Sequence, residues 1–254
     1  MKKKYIYGII IVSLVMALVM CIVGIFSSIG DYERPISALQ SERGSFIIDP
    51  EKIIESLNNG GTDIFTPNLQ QVDGEKPGVL FEKPINWTQR EYLTITEALN
   101  QFVWKDVLND WELYDMVFDL NCQDNPSGFE RGGMTYFKTI PPDSGKKGYA
   151  VRDFFIDPKY TYVEWRGGAN YPRPLFGWKG IDLDNLRITA EDALRIAEEN
   201  GGKNTRLRFN NNCRIKLTLE PERYAGWFIK YRVEGLPEFG IMVDPFTGKI
   251  INNK

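Results

Sequence analysis

Residues 188–197 read Ile188-Thr189-Ala190-Glu191-Asp192-Ala193-Leu194-Arg195-Ile196-Ala197, and residues 213–219 read Cys213-Arg214-Ile215-Lys216-Leu217-Thr218-Leu219. The first run predicts a helix. Thr189 is its N-cap, and the acidic residues behind it give a capping-box pattern. Ala193, Leu194, Ile196 and Ala197 form one apolar face, and Gly201-Gly202 is the expected stop. The second run alternates apolar and polar residues, the period of a half-buried strand. Two more strands are expected over residues 226–233 and 239–243. Asp244-Pro245-Phe246-Thr247-Gly248 reads as a turn, and residues 249–252 as a short closing strand. A helix beside an antiparallel sheet gives an α+β class.

Working outward, residues 45–165 carry a similar order. Residues 45–48 read as a short strand. Asp49 is a helix N-cap with Pro50 at the first helical position. That helix uses Ile53, Ile54 and Leu57 and stops at Asn58-Asn59-Gly60-Gly61. Residues 62–86, rich in Pro and Gly, look irregular. A longer helix is predicted over residues 88–108, from the spacing of Leu93, Ala98, Leu99, Phe102, Val103 and Val107. Strands are predicted over 111–122, 134–140, 149–156 and 160–165, the last two joined by Asp157-Pro158-Lys159.

The two regions align in part. Thr94-Ile95-Thr96-Glu97-Ala98-Leu99 matches Thr189-Ala190-Glu191-Asp192-Ala193-Leu194. Phe155-Ile156-Asp157-Pro158 matches Met242-Val243-Asp244-Pro245. The expected architecture is two helix-on-antiparallel-sheet layers. A duplication and two independent units of similar design are both compatible with it.

The second unit resembles a PepSY domain. The carrying residues are the helix at 188–197, the strand Gly226-Trp227-Phe228-Ile229-Lys230-Tyr231, and the closing run Ile241-Met242-Val243-Asp244-Pro245-Phe246-Thr247-Gly248-Lys249-Ile250. The resemblance spans residues 186–252, about a quarter of the chain. It implies a helix packed on an antiparallel sheet, and a role in binding or inhibiting a peptidase outside the cytoplasm. It carries no catalytic residues. Nothing in residues 45–165 resembles a known family.

Tyr5 to Gly30 contains no charged residue. As a helix, this stretch would be roughly 39 Å long, more than a bilayer's hydrocarbon core requires. Lys2, Lys3 and Lys4 before it predict a cytoplasmic N-terminus. Three rival readings are a cleaved signal peptide ending near Ser27-Ser28, lipid attachment at Cys21, and a buried core helix. The apolar run is long for the first, and Met20 is bulky for the second. The expected layout is a membrane helix in 1–30, a juxtamembrane linker in 31–44, a first α+β unit in 45–165, an aromatic Gly/Pro connection in 166–187, and the PepSY-like unit in 188–254. The expected location is the cell membrane, single-pass, with the C-terminal region extracytoplasmic.

The chain has 254 residues and a net charge of −3. Beyond residue 30 it carries 34 acidic and 28 basic residues, which argues against a nucleic-acid partner. It contains no histidine. That excludes Ser-His-Asp and Cys-His pairs and HExxH metal sites. No cofactor or metal site is expected. Cys122 and Cys213 suit either a disulfide or two half-buried thiols.

The most site-like stretch is the connection, with Trp165, Arg166, Tyr171, Arg173, Phe176 and Trp178. Aromatic rings beside Arg suit a peptide or a sugar. The structural alternative is a lid that fills the core between the units. Asp153, Asp157, Asp182 and Asp184 are candidate carboxylates, but no spacing pairs them. The function expected is a non-enzymatic, membrane-anchored binding or regulatory module with an extracytoplasmic protein or peptidase as partner. The alternative is a module that binds the cell wall or a polysaccharide.

Overall fold

The structure is a computed structural model. It describes residues 42–60, 64–65, 71–72, 80–123, 126–140, 148–171, 179–220 and 226–251, with the backbone alone at 71, 72, 170 and 171. Four α-helices are described: α1 (Pro50–Asn58), α2 (Gln89–Trp104), α3 (Ala190–Ala197) and α4 (Lys203–Arg208). The strands are β1 (Glu42–Ile47), β2 (Gln71–Val72), β3 (Glu112–Asn121), β4 (Arg131–Ile140), β5 (Gly148–Asp157), β6 (Tyr162–Tyr171), β7 (Arg214–Leu219), β8 (Trp227–Arg232) and β9 (Phe239–Val243).

These nine strands make one antiparallel sheet, in the order β2-β1-β6-β5-β4-β3-β7-β8-β9. The expectation of two separate layers is therefore corrected. β3, the strand that follows α2, pairs with β7, the strand that follows α4, from Met116↔Leu219 to Asn121↔Arg214. Each unit alone would leave its strand of this pair with a row of unpaired N–H and C=O groups. Pairing β3 with β7 satisfies both rows and fuses the units.

The expected membrane helix falls on residues outside those described. Among the described residues, no helix is long and apolar enough to cross a membrane. The longest, α2, has 16 residues and includes Arg90, Glu91 and Glu97. The single-pass membrane architecture, and the extracytoplasmic placement built on it, are corrected accordingly. The fold is a broad sheet covered by short amphipathic helices.

Local chemistry explains the helix ends. Asp49 caps α1 by accepting from the Glu51 N–H at 3.1 Å, with Pro50 in the first turn. Thr88 caps α2 with a complete capping box: its hydroxyl accepts from Glu91 N–H at 3.3 Å, and Glu91 Oε2 accepts from Thr88 N–H at 2.5 Å. Thr189 caps α3 by accepting from Asp192 N–H at 3.3 Å, without the reciprocal arm. The predicted stop is found at Gly201: Asn200 and Gly201 leave helical geometry, Gly201 at φ +113°, and a separate short helix, α4, starts at Lys203.

The caps also correct the register between the units. Thr88, not Thr94, is the counterpart of Thr189; Thr94 lies inside α2. The spacings then agree: 24 residues from Thr88 to the start of β3, and 25 from Thr189 to the start of β7. Asp157 ends β5 and Asp244 follows β9, in each case the third strand after the helix, and each is followed by a proline. Each Asp caps the turn behind it: Asp157 Oδ1 accepts from Tyr160 N–H, and Asp244 Oδ1 accepts from the N–H groups of Phe246 and Thr247.

One apolar core runs beneath the helices. Tyr92, Ile95 and Leu99 of α2 meet Met116, Phe118 and Leu120 of β3. Ala193, Leu194 and Ala197 of α3 meet Ile215, Leu217, Trp227 and Ile229. Phe118 links the halves, stacking on Phe129 at 4.6 Å and lying 6.2 Å from the Trp227 ring. Full burial of side chains this size stabilises by about 1.5–3 kcal/mol each. Cys122 and Cys213 form a disulfide with a Cα–Cα distance of 5.1 Å. It closes the end of the β3–β7 seam, beside a hydrogen bond from Cys122 N–H to Cys213 C=O at 2.9 Å.

Candidate binding groove

A groove of about 680 Å³ opens between α2, the start of β3 and residues 180–184. The α2 side contributes Arg90, Leu93, Thr94 and Glu97. Its apolar floor includes Trp111, Leu113 and Tyr136. Residues 180–184 are fixed at sheet level because Ile181 N–H donates to the Leu113 carbonyl at 2.6 Å. Here β7 has already ended, since its last pair is Met116↔Leu219. The segment thus takes over the β3 edge where β7 leaves it. Leu183 projects at the rim, 40% exposed.

The groove is acidic. Among the described residues, Glu97, Glu112, Asp182 and Asp184 line it, against a single guanidinium from Arg90. Asp182 sits below the usual carboxylate range because the Asn185 side chain and backbone donate to it. Tyr136, only 6% exposed, has its phenol pushed up by burial and by the nearby Glu97 charge.

Next to the groove, Arg152 of β5 is clamped. Its guanidinium lies 4.5 Å from the Trp104 ring centre and 4.0 Å from that of Trp111. It also donates to Asn100 Oδ1 at 2.7 Å and pairs with Asp106 at 3.0 Å. Cation–π and ionic contacts together fix Trp111, which forms part of the groove floor.

A second cleft, about 520 Å³, lies between α1 and residues 81–87. Pro50, Ile54, Phe81 and Trp87 line it, and the Lys83–Glu51 ion pair lies at its edge.

The predicted aromatic site is not assembled as expected. Trp165 and Arg166 are neighbours in β6 and therefore face opposite sides of the sheet. Trp165 turns toward the helices and meets the Trp104 ring at 5.1 Å. Arg166 turns away and pairs with Asp153 at 3.3 Å. The backbone of Tyr171 ends β6. Arg173, Phe176 and Trp178 lie outside the described residues.

The candidate carboxylates also separate. Asp157 is buried, caps a turn and lies 3.9 Å from Arg131. Asp182 and Asp184 reach the groove; Asp153 does not. On the sheet face away from α2, Asp115, Thr135 and Asp153 are cross-strand neighbours. Burial, with the charges of Asp153 and Glu220 nearby, pushes Asp115 up to about 7 against hydrogen bonding from Thr135. Burial also raises Asp153, with Arg166 opposing. Among the described residues, no group of three or more metal-ligating side chains could hold a metal ion.

Sequence reasoning missed Arg90, Trp111, Glu112 and Tyr136 as site residues. They come from three segments that only the fold brings together, so no local spacing marks them.

No family model matches the chain, and no curated protein matches it. Among solved structures, a MaoC-like dehydratase from Phytophthora capsici aligns over 84% of this chain and 93% of that one, at 11% identity and a TM-score of 0.19. A likeness that slight carries no argument about fold or activity.

Proposed function

We propose that the chain is a non-enzymatic module that docks an extended peptide segment of a partner protein in the groove beside α2. The observation that carries this reading is the groove itself: an open cleft of about 680 Å³ with an apolar floor and a polar rim. That volume falls within the range of ligand-binding clefts. Exposed Leu183 at the rim gives a partner an apolar contact, while Trp111 and Tyr136 offer aromatic anchors. The chain contains no histidine, the commonest general base. The PepSY resemblance of residues 186–252 supports a peptidase as the partner that supplies the peptide.

The test is selection of short random peptides on the immobilised chain. Captured peptides should be released by Thr94→Arg and by Leu183→Arg, two rim substitutions that fill the groove. Capture should survive Ile54→Arg in the other cleft. Each variant's thermal midpoint reports whether it folds. Capture that is indifferent to both rim substitutions, in folded variants, sinks the proposal.

A further inference from the structure

We infer that the groove selects a cationic peptide, one that places arginine or lysine side chains between α2 and residues 180–184. The inference rests on the proposed function and adds the ligand's charge.

Four carboxylates from three elements line the groove: Glu97 from α2, Glu112 from β3, and Asp182 and Asp184 from the loop. Among the described residues, none of the four forms an ion pair, whereas most other charged clusters of this fold are paired off. The acidic side chains therefore set up a field that, among the described residues of the lining, only Arg90 opposes. In a cleft with low-dielectric walls, such a field is focused and raises the local concentration of cations.

Gly180 sharpens the placement of one of these charges. A Cβ there would come within 2.6 Å of Glu112 Oε2. The missing side chain lets the Glu112 carboxylate lie along the loop, inside the groove. A ligand with a cationic head and an alkyl stem suits this lining. The head meets the carboxylates, and the stem covers Leu93 and Trp111. Arginine has the further option of stacking on the aromatic floor, as Arg152 does on the far side of the same cluster.

The experiment measures binding of three labelled peptides to the full chain: alternating Arg and Leu, alternating Gln and Leu, and alternating Glu and Leu. The Arg peptide should bind at least about tenfold more tightly than the Gln peptide at low salt, and the gap should close as salt rises. Glu97→Gln and Glu112→Gln should each weaken the Arg peptide by about fivefold and leave the Gln peptide unchanged. Glu55→Gln, in the other cleft, should change neither. Equal binding of the Arg and Gln peptides, both lost on Leu183→Arg, overturns the cationic assignment while keeping the groove as a peptide site. An Arg peptide that ignores both Gln variants also overturns it. If no peptide responds to Leu183→Arg, the proposed function fails as well.

Discussion

Gln89 and Glu191 cap each other's helices where the two units meet. Gln89 N–H, the first of α2, donates to Glu191 Oε1 at 2.6 Å. Gln89 Oε1 accepts from Ala190 N–H, the first of α3, at 2.7 Å. Two helix N-termini, each with a partial positive charge, thus converge on one carboxylate and one amide. Gln89 is 6% exposed, so water is a poor substitute for either partner.

Replacing Gln89 with Ala should strand the Ala190 N–H and lower stability by about 1–3 kcal/mol. Glu191→Gln keeps the shape and removes the charge, and should cost about 0.3–1 kcal/mol. Urea unfolding of both single variants and the double gives the coupling between them. Strict additivity would show that the two contacts act independently.

Reduction of Cys122–Cys213 should destabilise the fold strongly. The bridge spans 91 residues of sequence. Loop-closure entropy for a loop of that length is worth about 4–5 kcal/mol. Urea midpoints with and without a reductant, and for the double Ala variant, measure it. An unchanged midpoint would show that the β3–β7 pairing holds without the bridge.

Asp115 should make stability depend on pH. Its folded-state value, about 7, exceeds the usual carboxylate value of 3.8. The folded state therefore binds this proton more tightly than the unfolded chain does. The stabilisation is complete below about pH 4, declines as pH rises, and is lost above about pH 7. Its upper bound is about 4 kcal/mol. Asp115→Asn should flatten this part of the profile and raise stability at pH 8. A wild-type curve from pH 4 to 8 that matches the Asn variant in shape would exclude Asp115 as the source.

Arg152→Lys should cost about 1–3 kcal/mol. Lysine keeps the charge but cannot span the Trp104 and Trp111 rings while serving Asn100 and Asp106. Because Trp111 floors the groove, the same variant should also weaken peptide capture. Loss of stability with capture intact would separate the clamp from the groove.

The elements themselves were largely legible in the sequence. Asp49-Pro50 and Thr189 mark helix starts through the chemistry of their side chains and backbone, which acts locally. The alternation of residues 214–219 sets strand faces in the same way. Assembly was not legible. Nothing local says that β3 pairs with β7, because an edge strand looks the same whether solvent or another strand lies beside it. The Thr94 alignment failed for a related reason: the Thr-x-x-Glu pattern occurs twice, at Thr88 and at Thr94, and only one copy caps. Trp165 and Arg166 were grouped because they are adjacent in sequence, yet strand geometry sends them to opposite faces. The groove depends on residues 90–97, 108–113, 136 and 180–184 meeting, which is tertiary information throughout.

The seam between β3 and β7 also has a consequence in time. β3 is complete at Asn121, while its partner begins only at Arg214. At ribosomal speeds the intervening stretch takes roughly 5–20 s to emerge. During that interval a nascent first unit presents the outer edge of β3 to the crowded surroundings of the ribosome. The β-bulge between Leu113 and Asp115, and the acidic side chains of Asp115 and Asp119 along the strand, are devices that discourage pairing with a stranger. The interval in which this protein is most prone to wrong association is therefore its own synthesis, and the arrival of the segment around Cys213 closes it.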